Sequence, residues 1–195
     1  MLSSLSLVRL LVEHLAPRLA EALLVAAFAS WAALLFHELG HALAAWLLGV
    51  RIWGVRIGTG PTLWRGRLGE TRVHLALLPL LGSVQLLDSD ASAIGYRDIG
   101  CGSWRFEWGP GAWRAPVISA AGGLSNLIGL LLGAALWHLL GQPGMGSLAG
   151  ELLLFSMASN FAGYLNLIPC FRSDGTHLLA HVRAARLRAA PAYTT

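Results

Sequence analysis

Three stretches of the chain are apolar for long enough to cross a lipid bilayer, and few polar positions interrupt them. The first runs from about residue 20 to residue 50. Residues 22–36 are almost wholly apolar, His37-Glu38-Leu39-Gly40-His41 follows, and residues 42–50 are apolar again. A helix of that length spans a bilayer with some tilt. The second stretch, about 116–140, holds no formally charged side chain with His138 neutral. Gln142, Pro143 and Gly144–Gly146 read as a short turn. The third stretch, about 148–171, carries Glu151 near its start and Asn160 and Asn166 further on. Pro169 lacks an amide donor and predicts a break or end to that helix. The pattern predicts a polytopic α-helical membrane protein with a three-transmembrane-helix core.

The periodicity changes between the first two stretches. Residues 50–57 alternate, Gly58-Thr59-Gly60-Pro61 is a strong turn signal, and residues 72–87 are rich in Val and Leu. Residues 51–87 therefore read as a small β-hairpin or sheet at the membrane interface. An open strand edge in lipid would leave backbone groups unpaired, so the sheet must line a cavity or lie at the surface. Such an edge could pair with an extended substrate. Residues 88–115 are mixed, with Trp104, Trp108 and Trp113 as candidate headgroup anchors. Ahead of the first stretch, Leu2, Leu5, Val8, Leu11, Val12 and Leu15 recur near helical spacing until Pro17. Residues 1–19 thus read as an amphipathic interfacial helix, residues 20–180 as the core and residues 181–195 as a tail.

Composition supports a membrane setting. Apolar residues make up 55% of the 195 and charged residues 12%, about half the charged share usual in soluble domains. All 14 basic residues are Arg. No basic and aromatic stripe dominates one element, so the net charge of +4 does not point to nucleic acid. The Arg distribution instead orients the spans. Arg9 and Arg18 share a side with the 141–147 turn, whereas the other twelve lie in residues 51–115 and beyond residue 171. The positive-inside rule then places the N-terminus outside, the C-terminus in the cytoplasm and the 37–41 pentad toward the cytoplasmic face. Cys101 and Cys170 match no redox or Cys-rich metal motif.

The pentad is the chemical centre of the sequence. In a helix His37 and His41 share a face and can grip one metal ion, and HExxH is a zinc pattern. Glu38 sits on the adjacent arc, placed to act as a base on water rather than as a ligand. Two imidazoles and a carboxylate are costly in lipid without a metal, a partner or a water cavity. The third ligand must come from elsewhere. Glu151 and His138 lie at the wrong depth. Asp174, just past the inner end of the third stretch, is the favoured candidate, with His177 behind it. His177 and His181 have i,i+4 spacing of their own but no Glu between them. Without the pentad, Asp174 would read as a helix cap. Asn166 could bond a substrate backbone or a neighbouring helix.

At this point the chain resembles the site-2 protease family of intramembrane zinc metalloproteases. The matching motifs are His37–His41, Asn166-Leu167-Ile168-Pro169 and Ser173-Asp174-Gly175. Ile57–Pro61, Leu78-Pro79-Leu80-Leu81-Gly82 and Ala121–Asn126 resemble its bacterial branch. The resemblance covers roughly residues 20–180. It implies one Zn2+ held by His37, His41 and Asp174, Glu38 as general base, Asn166 as a substrate-positioning residue, and Gly58 and Gly60 in a membrane-inserted hairpin that meets substrate. It implies cleavage of transmembrane proteins or leftover signal peptides in the bacterial inner membrane. Departures include a short turn where many relatives carry a PDZ domain, and Gly123 where a Pro is common. A membrane zinc transporter or an inactive scaffold are the rival readings. Oligomeric state and substrate identity are not legible.

Overall fold

The computed structural model describes residues 11–87, 96–98, 104–106, 113–170 and 173–189. Helix α1 spans Ala16–Leu47, entered through a π-helical turn at Leu11–Leu15. Strands β1 (Ile52–Leu68) and β2 (Thr71–Leu86) follow, then a short pair, β3 (Tyr96–Asp98) and β4 (Trp104–Phe106). Helix α2 is Arg114–Leu139, α3 is Leu148–Tyr164 and α4 is Asp174–Ala189, with a 3-10 turn at Leu165–Leu167 before α4. Of the expected N-terminal amphipathic helix, residues 1–10 lie outside the described residues, as does Trp108.

Helix α1 starts earlier than the pattern predicts. Pro17 lies in its first turn rather than ending a preceding helix; there its missing N–H has no intrahelical partner to lose. The helix stops at a Schellman motif. Gly49 takes φ +70° and donates to Trp46 O, and Val50 N–H reaches Ala45 O at 2.8 Å. Ala45 and Val50 are buried together against Ala115 and Ile118 of α2, so this helix end also seeds the packing of α1 on α2.

The buried face of α1 is a stripe at every fourth residue: Val25, Ala29, Ala33, His37, His41 and Ala45, with Glu38 beside it. Large side chains such as Leu23, Leu24, Phe28, Leu43 and Trp46 face outward. Small inside and large apolar outside reverses the order of a soluble helix and is the arrangement of helices packed in lipid. Helices α1 and α2 are both long and apolar enough to cross a membrane. Helix α3 is shorter than the predicted 148–171 stretch. Ile168 is extended, as the residue before Pro169 must be, and the preceding residues tighten into the 3-10 turn. The boundary expected at residue 180 falls inside α4.

Helices α2 and α3 lock through a reciprocal pair of Asn–Gly contacts. Asn126 of α2 lies against Gly163 of α3, and Asn160 of α3 lies against Gly129 of α2. Both helices carry Asn-x-x-Gly, and in an antiparallel pair each Asn fills the notch left by the other's Gly. Asn160 Nδ2 also donates to Ser156 O at 2.9 Å, and Ser159 meets Ser30 of α1 at 3.1 Å.

The sheet corrects one expectation. The hairpin turn is Gly69–Glu70, not Gly58–Pro61. Gly58 and Gly60 have φ of +85° and +79°, and they bend β1 instead of reversing it. Strand β2 bends likewise, so residues 54–57 pair on one side with residues 82–85 and on the other with residues 72–75. The doubled hairpin thus forms four segments in the order 62–68, 71–76, 52–59, 78–86. Trp31 Nε1 of α1 donates to Ala76 O at 3.1 Å and pins the sheet to the helix.

Gly163→Ala should lower the melting temperature in detergent more than Asn160→Ala does. A single interhelical side-chain bond contributes only about 0.6 kcal/mol in lipid, whereas a Cβ at residue 163 collides with the Asn126 amide. Thermal unfolding followed by circular dichroism checks the order. A Gly163→Ala variant as stable as wild type would contradict the lock.

Candidate metal centre

His37, Glu38 and His41 are 6%, 3% and 8% exposed on α1. His41 Nδ1 lies 2.6 Å from Ile118 O of α2. A carbonyl only accepts, so Nδ1 carries the proton and Nε2 presents a lone pair. His37 Nε2 is 3.2 Å from His41 Nε2. Asp174 Oδ2 completes a triangle, 3.0 Å from His37 Nε2 and 3.3 Å from His41 Nε2.

Three features of the chain bring Asp174 there. Pro169 ends the helical run, so the chain can turn back. Ser173 Oγ accepts from Thr176 N–H at 3.2 Å and donates to Ile168 O at 2.7 Å. Ser173 therefore takes the capping role, and the Asp174 carboxylate is free to face the histidines. Gly175 packs against the Leu167 carbonyl, where a side chain would not fit. Asn166, in the 3-10 turn, donates from Nδ2 to Asp174 Oδ2 at 2.7 Å and lies 3.5 Å from His37 Nε2.

The donor set fits a divalent ion. His41 Nε2 and the Asp174 carboxylate are both acceptors, and acceptors 3.3 Å apart repel unless a cation lies between them. Tetrahedral ligands at zinc distances are separated by about 3.3 Å, close to the edges of this triangle. Among the described residues, His37, His41 and Asp174 form the one group of three such side chains able to hold a metal.

Helix α2 and the sheet close the centre from two sides. Gly122 packs against both imidazole Nε2 atoms, and Gly40 meets Ala121 O and Ser125. Ser125 Oγ lies 2.9 Å from Phe36 O, one residue before the pentad. From the sheet, Gly82 packs against the Glu38 carboxylate, and Glu38 Oε2 is buried without a hydrogen-bond partner. Gly82 pairs with Ile57, so Gly58 sits one residue from the strand that borders Glu38. Gly58 and Gly60 themselves shape the bend and are not part of the polar cluster. The small Ala121-Gly122-Gly123 run lets α2 pack closely on the pentad helix, as its sequence suggests; sequence reasoning missed the Gly82 contact with Glu38, and Ile118, whose contribution is a backbone carbonyl.

Residues 25–150 match the profile of peptidase family M50. The chain belongs to that family. It is 33% identical over 132 residues to the regulator of sigma-E protease RseP of Escherichia coli, covering 63% of this chain and 27% of that protein. It is 34% identical over 125 residues to the Salmonella typhimurium regulator of sigma E protease, again 63% and 27%. A Chlamydia trachomatis protein named among the zinc metalloproteases is 29% identical over 161 residues, 78% of this chain and 24% of that protein. The chain therefore spans about a quarter of the length of the curated relatives it matches. With two long apolar helices, the family marks a membrane protein.

His181 of α4 is buried apart from this cluster. Burial, and then the neighbouring His177, push its pKa down to about 4. The folded protein keeps it neutral while the unfolded chain protonates it below about pH 6.5. Its linkage term is therefore lost as pH falls from about 6.5 toward 4. His181→Gln should flatten the acid side of the stability profile in that window, measured by thermal unfolding across pH. An unchanged profile would contradict the neutral buried imidazole.

Proposed function

We propose that this chain is the catalytic core of a zinc-dependent intramembrane endopeptidase. The observation that carries the reading is the triangle of His37, His41 and Asp174 with Glu38 beside it, on a helix whose outer face is apolar. His37, His41 and Asp174 would hold one zinc ion. When bound, that ion supplies Lewis acidity toward a carbonyl and lowers the pKa of water. Glu38 acts as general base, taking a proton from the attacking water and passing it to the leaving amine. Asn166 holds Asp174 in place and directs its remaining amide hydrogen and its carbonyl oxygen to the substrate backbone.

Among the described residues, segment 78–86 has a strand partner on one side only, residues 52–59. An extended substrate added to its open edge would run past Gly82 and so past Glu38. The substrate is a transmembrane segment that unwinds locally, from a regulatory membrane protein or a leftover signal peptide. Gly58 and Gly60, by bending β1, set the course of that edge. Helix α3 is the third span. Its 17 residues rise about 26 Å, at the short end of what a bilayer requires. The Arg bias places the N-terminus outside, the C-terminus in the cytoplasm and the centre toward the cytoplasmic face of a bacterial inner membrane.

The purified chain should cleave transmembrane substrates in detergent or liposomes and carry one zinc ion. Glu38→Gln should keep the zinc and lose roughly 10²–10⁴-fold in rate, while Asp174→Ala should lose zinc. Chelation should abolish cleavage and added zinc restore it. Cleavage untouched by Glu38→Gln rejects the mechanism, and full zinc content in Asp174→Ala rejects that ligand.

A further inference from the structure

The distal half of the hairpin places like charges opposite one another. In the register Arg67 faces Arg72, and two rungs along Arg65 faces His74, an imidazole whose pKa is lowered by desolvation and then by Arg65 and Arg56. Side chains two residues apart share a sheet face, so these four lie on one face. Arg56, also paired with His74, extends it into the next segment. Like charges directly opposite across a ladder destabilise it. Among the described residues Arg65, Arg67 and Arg72 carry no ion pair. The adjacent acid is Glu70 in the turn.

This face is open rather than packed. Arg56, Arg65, Arg67 and Arg72 are exposed. One concavity of about 390 Å³ is lined by residues 65–67 and 72–74. A second, of about 330 Å³, takes in Arg51, Trp53, Arg67 and Glu70. The Arg72 guanidinium lies over the Trp53 ring, 4.2 Å from its centroid, and Thr62 Oγ1 meets His74 Nε2 at 2.9 Å. Exposed Leu63 shares the face of the cations, and exposed Trp64 and Leu68 lie on the other face of the same strand. Arg forks, an aromatic and apolar side chains together match a phosphodiester headgroup at the top of its acyl chains.

We propose that this face of the hairpin binds the headgroups of anionic phospholipids. The occupant is a lipid rather than a soluble anion for two reasons. The hairpin continues directly from α1, which is long and apolar enough to cross the membrane, and exposed Leu63 beside the cations, with Trp64 and Leu68 on the other face, would be left in water by a soluble anion. The bound phosphate offsets the paired like charges, so the hairpin reaches full stability only at an anionic surface. Because β2 also carries Gly82 against Glu38, lipid composition acts on the strand that borders the centre. The binding itself does not depend on the proteolytic reading.

The test uses the full chain in a neutral detergent, titrated with short-chain phosphatidylglycerol, phosphatidylcholine, inorganic phosphate or a poly-glutamate peptide. Thermal unfolding is the readout. Phosphatidylglycerol should raise the melting temperature saturably and the other three should not. Arg65→Gln/Arg67→Gln, which spares the Arg72–Trp53 contact, should melt no lower than wild type without lipid and bind phosphatidylglycerol at least about tenfold more weakly. Arg183→Gln on α4 should bind like wild type. An equal shift with phosphatidylcholine, phosphate alone or poly-glutamate would overturn the proposal. So would undiminished phosphatidylglycerol binding by the double variant.

Discussion

His37 Nε2, His41 Nε2 and Asp174 Oδ2 meet within 3.0–3.3 Å of one another in a bundle whose outer surface is apolar. The Ile118 carbonyl fixes the His41 proton on Nδ1, so the His41 Nε2 lone pair and the Asp174 carboxylate are two acceptors pressed together at 3.3 Å. Such an arrangement is costly on its own and favourable around a cation. Much of the architecture serves to bring these atoms together. The i,i+4 spacing on α1 supplies two of them. The break at Pro169 and the cap at Ser173 turn the third toward them. The small residues of α2 let its backbone come close enough to orient one ring and exclude water from both.

The same requirement explains why small residues gather where the helices meet. Gly122 packs on the imidazoles, Gly82 on Glu38, and Gly129 and Gly163 receive Asn160 and Asn126. In lipid, apolar side chains gain little by leaving one surface for another, so close backbone approach and polar contacts hold the bundle. The large residues are left on the outside, where they meet acyl chains. The sheet is attached to this bundle at a few points, chiefly Trp31 to Ala76 and Gly82 to Glu38.

Much of this was legible in the sequence because the strongest signals were local. The pentad's helical spacing, the two long apolar runs and the break at Pro169 are properties of contiguous residues. What escaped was tertiary. Pro17 looks like a stop in the sequence because its place in a first turn depends on where the helix begins. Gly58–Pro61 carries every mark of a reverse turn, yet pairing on both sides of β1 makes it a bend within a longer strand. Asp174 and Ser173 are both competent caps, and only the fold decides which one caps. The Asn-x-x-Gly pairs gained meaning from the antiparallel register of α2 and α3, and Ile118 acts through a carbonyl that no side-chain motif encodes.

A single metal centre of His37, His41 and Asp174 is the feature on which the rest depends. Zinc-edge X-ray absorption on the purified chain tests it most directly. The account predicts a low-coordinate shell of nitrogen and oxygen only, with the scattering signature of two imidazoles and about four ligands at tetrahedral zinc distances. A shell with three imidazoles would put His177 or another histidine in the place of Asp174. A sulfur ligand, or a chain that takes up no zinc, would contradict the centre altogether.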